Sequence, residues 1–492
     1  WDVMEIEHWA ELLWPAVLAV STLAAATSAI IHVLLSKRST QSAIAWIGLI
    51  VLLPLLGAFA YLLFGINRIR RKANALRARR ISLARDGERQ QTINELGAPH
   101  ACAPDALPTN ALAGLARLAE RVTQRALLDG NSIELLRDGE QAYPAMLEAI
   151  ASAEKTISLS VYIFNNDPAG QRFIDALVAA HERGVKVHVI VDSIGAYYAF
   201  PPAAKILRKA GIAVALFMPI LRPGSFAFLN LRTHRKILVV DGKLGFTGGI
   251  NIRHEHMVTE NKGHATHDTH FRVEGPLVNH LQLSNLEDWH FCTGEVLLGE
   301  EYFPELEQVG DVSARGIIDG PDEDYESLHW VLLAALATAN ERVVIITPYF
   351  LPDETLLDAL QVTAMRGVQV DIILPQKSNL FFIDHASRPN WAPLLEHGCS
   401  IWLTPAPFDH SKLMVVDGVW SLLGSANWDP RSLRLNFEFN VEAYNEGVAS
   451  SILELAEQKL QRARRVTLED YESRGIITRL RDGLFRLMTP YL

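Results

Sequence analysis

The feature that most constrains the fold of this chain is a sparse pattern of polar residues that occurs twice. Both copies keep His-x-Lys-x-x-x-x-Asp, and in both an asparagine follows the histidine after 17 positions. The two sets are His234, Lys236, Asp241, Gly248, Gly249 and Asn251, and His410, Lys412, Asp417, Gly424, Ser425 and Asn427. The residues between them have diverged, so the shared spacing indicates one site built from two halves.

Each copy predicts a strand that carries reactive residues on one face. The runs Lys236–Val240 and Lys412–Val416 are largely apolar and end in an Asp-Gly turn signal. Side chains alternate along a strand, so a histidine and a lysine two positions apart project to the same side. In one copy alone, a core histidine and a surface lysine would be the better interpretation. Repetition at fixed spacing favours a site, and small residues followed by an amide suit a phosphate.

These residues resemble the signature of the phospholipase D superfamily, His-x-Lys-x4-Asp followed by Gly-Gly/Ser-x-Asn. The resemblance spans the region from Leu135 to Leu460. The sequence around Thr233–Lys236, the paired apolar segments near the N-terminus and the overall length are most similar to those of bacterial cardiolipin synthases. The resemblance implies an α/β fold with two pseudo-symmetric halves, each a mixed, largely parallel sheet flanked by helices.

Two long apolar segments near the N-terminus predict a transmembrane helical hairpin. Leu12 to Leu35 and Ala43 to Phe64 contain 24 and 22 residues without Asp, Glu, Lys or Arg, long enough to cross a hydrocarbon core. A second apolar segment follows without an intervening A-x-A-like site, which argues against a signal peptide, while a buried core helix is the other alternative. His32 and Pro54 leave open that one segment is kinked or crosses the bilayer only in part.

The charges that flank these segments predict the orientation. The connecting loop carries Lys37 and Arg38, whereas a dense basic run follows the second segment: Arg68, Arg70, Arg71, Lys72, Arg77, Arg79 and Arg80. The positive-inside rule therefore places the catalytic part on the cytoplasmic side of a bacterial inner membrane, as a multi-pass protein. The same run suits anionic headgroups. The sequence begins with Trp1, so we expect the native N-terminus to be missing or replaced.

The duplication extends beyond the motifs. Each half contains a predicted strand, helix and strand, namely Ile157–Tyr162, Gln171–Arg183 and Val185–Val191, then Val343–Thr347, Glu354–Arg366 and Val368–Leu374. Both helices end in Arg-Gly, which predicts a glycine cap. We therefore divide the chain into a membrane hairpin with its basic segment (1–80), a linker and connecting helix (81–130), a first half (131–310) and a second half with an amphipathic tail (311–492).

Composition excludes several classes of function. The net charge of −10 disfavours nonspecific nucleic-acid binding. Cys102, Cys292 and Cys399 are too widely spaced for a zinc knuckle or a disulfide framework and fit a reducing cytosol. A histidine cluster after the first motif has spacing that zinc could use, but we favour a polar loop beside the active site: His254, His256, His264, His267 and His270.

The residue types suit transfer at a phosphodiester. Such a group is anionic, so a catalyst must neutralise its oxygens, supply a nucleophile and protonate the leaving alkoxide. We expect one neutral histidine to form a phosphohistidine while the other, protonated, donates to the leaving oxygen. The lysines and asparagines of the two motifs would hold the nonbridging oxygens. This chemistry needs no metal and no cofactor. The resemblance implies that His234 is the nucleophile, although the sequence alone leaves the two roles open.

Further residues are assigned supporting roles. Asp241 and Asp417 lie an odd number of residues from their histidines, so we expect them to face away and to anchor local structure. Each histidine also needs a carboxylate to hold its second nitrogen. We predict Glu438 for the second histidine, as the resemblance implies, and Asp268 for the first. Arg232, two residues before the first histidine, is predicted to contact a second phosphate, with a surface arginine as the alternative.

The resemblance implies a phosphatidyltransferase that moves a phosphatidyl group between two phosphatidylglycerol molecules and releases glycerol. The expected partners are this phospholipid and the bilayer, with no nucleic acid and a possible homo-oligomer. A phospholipase D-type hydrolase and another phosphatidyltransferase remain alternatives, with a nuclease or an inactive scaffold less favoured. The aromatic runs Tyr197–Phe200, Phe226–Leu229 and Phe381–Ile383 suit an acyl-chain entrance or ordinary packing. The tail Ile476–Met488 suits the membrane interface, docking on the enzyme's own body or a second subunit.

Overall fold

The computed structural model describes residues 3–36, 40–65, 100–103, 107, 109–219, 231–261, 263–321, 326–487 and 489. The chain divides into two compact units, Trp1–Ala73 and Asn74–Leu492. The basic run at 68–80, the hairpin loop residues Lys37 and Arg38 and the aromatic run at 226–229 lie outside the described residues.

The first unit contains three apolar helices, α1 (Val3–Ser36), α2 (Thr40–Leu52) and α3 (Pro54–Ala60), followed by a π-helical turn at Tyr61–Gly65. Within the described residues, only the apolar part of α1 (Leu13–Ser36) is long enough to cross a membrane. The second predicted segment breaks at Leu53, because Pro54 lacks an N–H and starts a new helix. A long apolar helix over the first predicted segment is therefore confirmed, and its crossing of a membrane stays a prediction. The second predicted segment is interrupted at Pro54, as the sequence left open.

The second unit opens with helix α4 (Asn110–Thr123) and continues into the first half. Its elements are β1 (Leu128–Arg137), α5 (Asp138–Ser152), β2 (Thr156–Val161), α6 (Pro168–Glu182), β3 (Lys186–Asp192), α7 (Ala203–Lys209), β4 (Ala213–Phe217), β5 (Ile237–Val240), β6 (Leu244–Gly248), β7 (Thr266–His267), β8 (Thr269–Glu274) and α8 (Val278–Thr293). Short 3₁₀ turns occur at Gly195–Tyr197 and His254–His256.

The second half repeats this order and adds a tail. Its elements are β9 (Val312–Asp319), α9 (Ser327–Thr338), β10 (Arg342–Ile346), α10 (Glu354–Met365), β11 (Gln369–Pro375), α11 (Phe381–Ser387), α12 (Trp391–Glu396), β12 (Ser400–Thr404), β13 (Phe408–Asp409), β14 (Leu413–Val416), β15 (Trp420–Gly424), α13 (Pro430–Arg434), β16 (Glu438–Tyr444), α14 (Glu446–Leu460), β17 (Arg464–Val466), α15 (Leu468–Glu472) and α16 (Ile476–Arg486). The glycines predicted to cap α6 and α10 do so, with φ angles of 92° at Gly184 and 93° at Gly367.

One 15-stranded sheet runs through both halves in the order β17-β12-β11-β10-β14-β15-β16-β9-β1-β8-β6-β5-β2-β3-β4. From the central β9–β1 pair outward, the corresponding strands of the two halves follow in the same order. Among the strands that the structure describes, β17 alone has no counterpart in the first half. The predicted fold of two pseudo-symmetric α/β halves with mixed sheets is confirmed. The expectation of largely parallel sheets holds only for β2-β3-β4 and β10-β11-β12, because the motif and central strands pair antiparallel.

The motif strands β5 and β14 are separated by six other strands in the sheet, yet both contribute to one hydrophobic core that spans the halves. Ile237 and Val239 of β5 belong to this buried cluster, as do Leu413 and Val415 of β14. The residues just before β5 and β14 lie at the junction between the halves, where their backbones hydrogen-bond to Phe437 and His267.

A buried ion pair near the centre of the sheet provides a test of the packing. Arg315 of β9 lies 2.7 Å from Glu442 of β16, and neither side chain is exposed. Replacing Arg315 by leucine would leave the carboxylate buried without its partner, so we expect the free energy of unfolding to fall by about 3–5 kcal/mol in chemical denaturation. The exposed pair between Lys186 and Glu301 supplies the control, since Lys186→Met should cost less than about 1 kcal/mol. Equal losses in the two variants would contradict this account.

Candidate active site

The two motif histidines are each held by the backbone of the opposite half. The N–H of His234 donates to the carbonyl of Phe437 at 2.8 Å, and the N–H of Phe437 donates to the carbonyl of Arg232 at 2.8 Å. In the same way, the N–H of His410 donates to the carbonyl of His267 at 2.7 Å, next to the pair formed by β7 and β13. The sequence before each motif strand is therefore fixed against the other half.

The carboxylates that orient the histidines also cross between the halves. Nδ1 of His234 lies 2.9 Å from Oε2 of Glu438, and Nδ1 of His410 lies 2.7 Å from Oδ2 of Asp268. The predicted pairing of Glu438 with His410 and of Asp268 with His234 is therefore wrong. The reason is that each carboxylate directly follows the residue whose carbonyl binds the histidine of the other half.

The hydrogen bonds determine which ring nitrogen is available for chemistry. Besides Glu438, Nδ1 of His234 faces the carbonyl of Ser425 at 3.0 Å, so both its neighbours are acceptors and Nδ1 carries the hydrogen. Nε2 then holds a lone pair. Within the described part of the chain, Nδ1 makes every ring hydrogen bond of His234 and His410, and both side chains remain 12% exposed. Each imidazole is thus positioned to present Nε2 to a ligand.

The two buried carboxylates differ in their electrostatics. Burial alone would raise the pKa of Glu438, but His234 and Lys236 outweigh it and the pKa is lowered. Ser425 Oγ and Asn436 Nδ2 also donate to this carboxylate. For Asp268, burial prevails over the nearby Lys412 and raises the pKa. Glu438 is therefore the carboxylate more firmly held in its charged form.

The motif lysines form a buried cationic pair. Nζ of Lys236 donates to the carbonyl of His234 at 2.6 Å, and Nζ of Lys412 donates to the carbonyl of His410. The pKa of Lys236 is lowered to about 7, mainly by burial, with Glu438 opposing the shift and Lys412 adding to it. Burial likewise lowers the pKa of Lys412 to about 8, opposed by Asp268. Two crowded ammonium groups of this kind favour an anionic ligand.

The buried environment lowers the pKa of both motif histidines. Burial lowers the pKa of His234 below its ordinary value, although Glu438 opposes the shift. Burial lowers the pKa of His410 still further, with contributions from Lys412, Lys236 and His234. The influence of the first-half residues on His410 indicates that both motifs belong to one electrostatic site.

The motif aspartates anchor the chain at the far end of the motif strands. Each has a positive φ angle, 52° at Asp241 and 51° at Asp417, and each carboxylate accepts three backbone N–H groups. The donors are Glu154, Lys155 and Thr156 for Asp241, and Asn340, Glu341 and Arg342 for Asp417. These bonds confirm the prediction that the two aspartates anchor local structure.

The asparagines are only partly free to bind a ligand. Oδ1 of Asn251 accepts from the N–H of Ile163 at 3.0 Å, which leaves its NH₂ group as the donor. Nδ2 of Asn427 donates to Ser432 Oγ at 3.1 Å, because helix α13 brings this hydroxyl beside the amide. One of the two Asn427 N–H groups is therefore already used.

Gly249 gives Asp268 the space to reach His410. A Cβ atom added at position 249 would overlap the Asp268 carboxylate. Since a displacement of about 1 Å in a catalytic group can cost 10²-fold in rate, we expect Gly249→Ala to lower activity by about 10²-fold in a steady-state assay. Gly114→Ala is the matched control, because a Cβ there meets no atom within 4 Å and activity should be unchanged. Full activity in Gly249→Ala would contradict the proposed alignment.

The structure contradicts the expected role of Arg232. Its side chain is buried, and its guanidinium donates to Ser193 Oγ at 2.9 Å and lies 3.5 Å from Asp192. A buried guanidinium requires such partners, so the charge of Arg232 is compensated inside the protein by Asp192. Burial raises the pKa of Asp192 to about 6 even though Arg232 opposes the shift.

Three residues beside the histidines were not identified from the sequence. The ring centroids of Tyr162 and Tyr349 lie 5.4 and 6.1 Å from those of His234 and His410, respectively. Asp138 binds the Asp268 segment twice, through an N–H donated at 2.9 Å and a carboxylate oxygen that accepts at 3.0 Å. Tyr162 directly follows β2 and Tyr349 lies three residues after β10, so a tyrosine soon after the first strand of each strand–helix–strand unit is the sequence signal that could have revealed them.

The histidines after the first motif do not assemble into a ligand set. His267 bonds Asp138 at 2.9 Å, His256 faces the carbonyl of Thr266 at 3.3 Å, and His254 lies 4.0 Å from Glu260. His270 is buried in β8, where burial lowers its pKa to about 3. Among the residues that the structure describes, no cluster of histidine, cysteine and acidic side chains has the arrangement of a metal site.

Comparison with known proteins agrees with this architecture. A family described as "Cardiolipin synthase, PLD-like domain" matches residues 146–269 and 332–460, and one described as "Phospholipase_D-nuclease N-terminal" matches residues 24–65. The chain is 31% identical to a cardiolipin synthase of Geobacillus sp. (strain WCH70), over 93% of this chain and 90% of that protein. It is 30% identical to cardiolipin synthase 1 of Bacillus cereus, over 94% and 91%.

A solved structure shares the fold at low sequence identity. Phosphatidylserine synthase of Haemophilus influenzae Rd KW20 aligns with a TM-score of 0.58 and 15% identity, over 77% of this chain and 97% of that one. The duplicated motif, the two-half sheet and the full-length relatives together show that the chain belongs to the cardiolipin synthase family of the phospholipase D superfamily.

Proposed function

We propose that this chain is a cardiolipin synthase that uses two phosphatidylglycerol molecules and a phosphohistidine intermediate. The observation that carries the proposal is the crossed arrangement of His234 with Glu438 and of His410 with Asp268, together with the electrostatic influence of Lys236 and His234 on His410. The full-length cardiolipin synthase relatives support the phospholipid substrate and the transferase activity.

In the first step, Nε2 of His234 attacks the phosphorus of phosphatidylglycerol, a P–N bond forms and the P–O bond to the glycerol headgroup breaks. His410, which the bound phosphodiester anion favours in its protonated form, gives its proton to the leaving glycerol oxygen. The assignment of His234 as nucleophile is supported by the charged Glu438, since a stable negative charge beside Nδ1 favours the cationic phosphohistidine.

In the second step, a hydroxyl of the second phosphatidylglycerol headgroup attacks the phosphorus. His410, now neutral, accepts the hydroxyl proton, the P–N bond breaks, and the products are cardiolipin and the regenerated enzyme. The proton balance closes, because the proton given to glycerol is recovered from the acceptor. Lys236 and Lys412 bind the nonbridging oxygens throughout, and no metal or cofactor takes part in these steps.

We further propose that the N-terminal helices anchor the enzyme in a bacterial inner membrane as a multi-pass protein with its catalytic part in the cytoplasm. The apolar length of Leu13–Ser36 supports a membrane span, and the distribution of basic residues in the sequence supports the sidedness. The bilayer would then supply both lipid substrates, while the net charge of −10 disfavours nucleic acid as an alternative.

The test uses the full-length protein in lipid nanodiscs that contain phosphatidylglycerol. A synthase should form cardiolipin and glycerol in equal amounts, with the same rate in excess EDTA. Phosphatidic acid formed in place of cardiolipin would identify a phospholipase D-type hydrolase, and an inert preparation would refute both assignments. Nicking of plasmid DNA would support the nuclease alternative.

The lysine pKa values predict how anion binding depends on pH. An anion favours the charged ammonium groups, so affinity should be full below pH 7 and should fall as the pH rises past the pKa values of about 7 and about 8. We expect the inhibition constant of dibutyl phosphate, whose charge is constant in this range, to rise at least about tenfold per pH unit above pH 8. Lys236→Met should weaken binding and reduce the slope, whereas an equal slope in the variant would contradict the assignment.

A further inference from the structure

Helix α16 docks on α11 of the second half, where Nδ1 of His385 lies 3.1 Å from the carboxylate of Asp482. The carboxylate of Asp482 is buried and accepts hydrogen bonds from Arg474 and Arg481, each at 2.8 Å. Phe485 stacks on His385 of α11, with ring centroids 5.6 Å apart. These contacts fix the rotation of the helix about its axis.

The apolar side of α16 consequently faces outward. Five large side chains at helical spacing are between 64% and 81% exposed: Ile476, Ile477, Leu480, Leu484 and Leu487. Exposed arginines flank the stripe on both sides, with Arg479 and Arg486 on one edge and Arg481 on the other. A helix on the surface of a soluble protein normally turns its apolar stripe inward, so this orientation marks an interaction surface.

Helix α11 continues the exposed surface toward the active site. Phe381 and Phe382 are each 56% exposed, and the rings of both lie 5.5 Å from that of Phe485. Just before α11, Asn379 accepts a 2.6 Å hydrogen bond from the hydroxyl of Tyr349, the tyrosine beside His410. The surface is thus connected to the second catalytic histidine through the side chains of Asn379 and Tyr349.

The first half has a comparable connection on its own side of the site. Tyr197, Tyr198 and Phe200 are 59%, 56% and 92% exposed. Tyr198 contacts Tyr162 at 6.5 Å between ring centroids, and Tyr162 contacts His234. Exposed apolar groups therefore lead to each of the two histidines.

We propose that α11 and α16 form a membrane-docking surface that rests in the headgroup region of an anionic bilayer and guides lipid acyl chains toward the catalytic histidines. This inference relies on the proposed function in taking a membrane lipid as substrate. The occupant follows from the composition, since aliphatic side chains flanked by arginines match the boundary between acyl chains and anionic headgroups. A two-fold contact with a second copy of the chain matches less well, because the exposed arginines of this surface would then face each other.

The direct test is lipid contact in the full-length protein. A Cys292→Ser background retains only the buried Cys102 and Cys399, so that Leu480→Cys can be labelled with an environment-sensitive fluorophore. In nanodiscs of phosphatidylglycerol and phosphatidylcholine, lipids with brominated acyl chains should quench this label. A label at Val362→Cys, on the half-exposed apolar side of α10, is the matched control and should not be quenched. Equal quenching at both positions would overturn the proposal. So would a label that is shielded from aqueous iodide but is not quenched by the brominated lipids, because a second copy of the chain would produce that result.

Activity provides a second readout. In the double variant Leu480→Glu, Leu484→Glu, cardiolipin formation from long-chain phosphatidylglycerol in nanodiscs should fall about tenfold or more, whereas the rate with a short-chain, water-soluble phosphatidylglycerol should not change. Val362→Glu should alter neither rate, and unchanged long-chain activity in the double variant would contradict the proposal. If both rates disappear through misfolding, the quenching of the Leu480→Cys label decides. That signal does not depend on turnover, so it also remains valid if the chain forms no cardiolipin.

Discussion

Replacing His234 by alanine is expected to lower cardiolipin formation by on the order of 10⁴-fold or more, because the variant lacks the atom that forms the P–N bond. His410→Ala should cause a loss of similar size with the natural donor, since glycerol is a poor leaving group without an acid. The overall rate alone therefore cannot separate the two roles. A donor with an activated leaving group can separate them.

The p-nitrophenyl ester of phosphatidic acid provides such a donor, because p-nitrophenolate departs without a proton. With His410→Ala we expect a burst of p-nitrophenolate equal to the enzyme concentration, followed by accumulation of a phosphatidyl-enzyme that is stable in alkali, as phosphoramidates are. His234→Ala should show neither the burst nor the adduct. The reverse result would make His410 the nucleophile, and the absence of an adduct in both variants would exclude a covalent intermediate on either histidine.

The parts of the fold that were predictable from the sequence are those fixed by local patterns. The strand–helix–strand unit of each half follows from short apolar runs, helical periodicity and an Arg-Gly cap, and the observed bounds differ from the predicted ones by no more than three residues. The placement of Asp241 and Asp417 followed from strand alternation alone. Pro54 signalled a possible break in the second apolar segment, but whether a neighbouring helix keeps such a segment continuous depends on tertiary contacts.

What could not be predicted depends on how the halves meet. Asp268 and Glu438 lie 142 and 204 positions from the histidines they bind, so no local pattern shows which carboxylate serves which ring. The predicted pairing kept each carboxylate within its own half, whereas the pseudo-twofold arrangement exchanges them. Arg232 illustrates the same limit, because an arginine two residues from a catalytic histidine has the same sequence pattern whether it faces a ligand or a buried aspartate.

The last prediction concerns the two carboxylates that bind the histidine of the opposite half. Glu438→Gln and Asp268→Asn should each lower cardiolipin formation by about 10³- to 10⁴-fold while preserving the fold, because an amide is nearly isosteric with the carboxylate but does not stabilise an imidazolium or hold the required tautomer. The exposed Asp470, at the N-terminus of α15, supplies a control, since Asp470→Asn should leave activity unchanged.

The activated donor then reveals which histidine each carboxylate serves. If the pairs cross as the structure has them, Glu438→Gln should slow the p-nitrophenolate burst that His234→Ala abolishes, because its histidine must make the P–N bond. Asp268→Asn should leave the burst fast and allow the phosphatidyl-enzyme to accumulate, because its histidine acts when the acceptor hydroxyl must be deprotonated. Carboxylates that served the histidines of their own halves would exchange these two phenotypes, so a single pair of substitutions distinguishes an active site shared between the halves from two sites that merely adjoin.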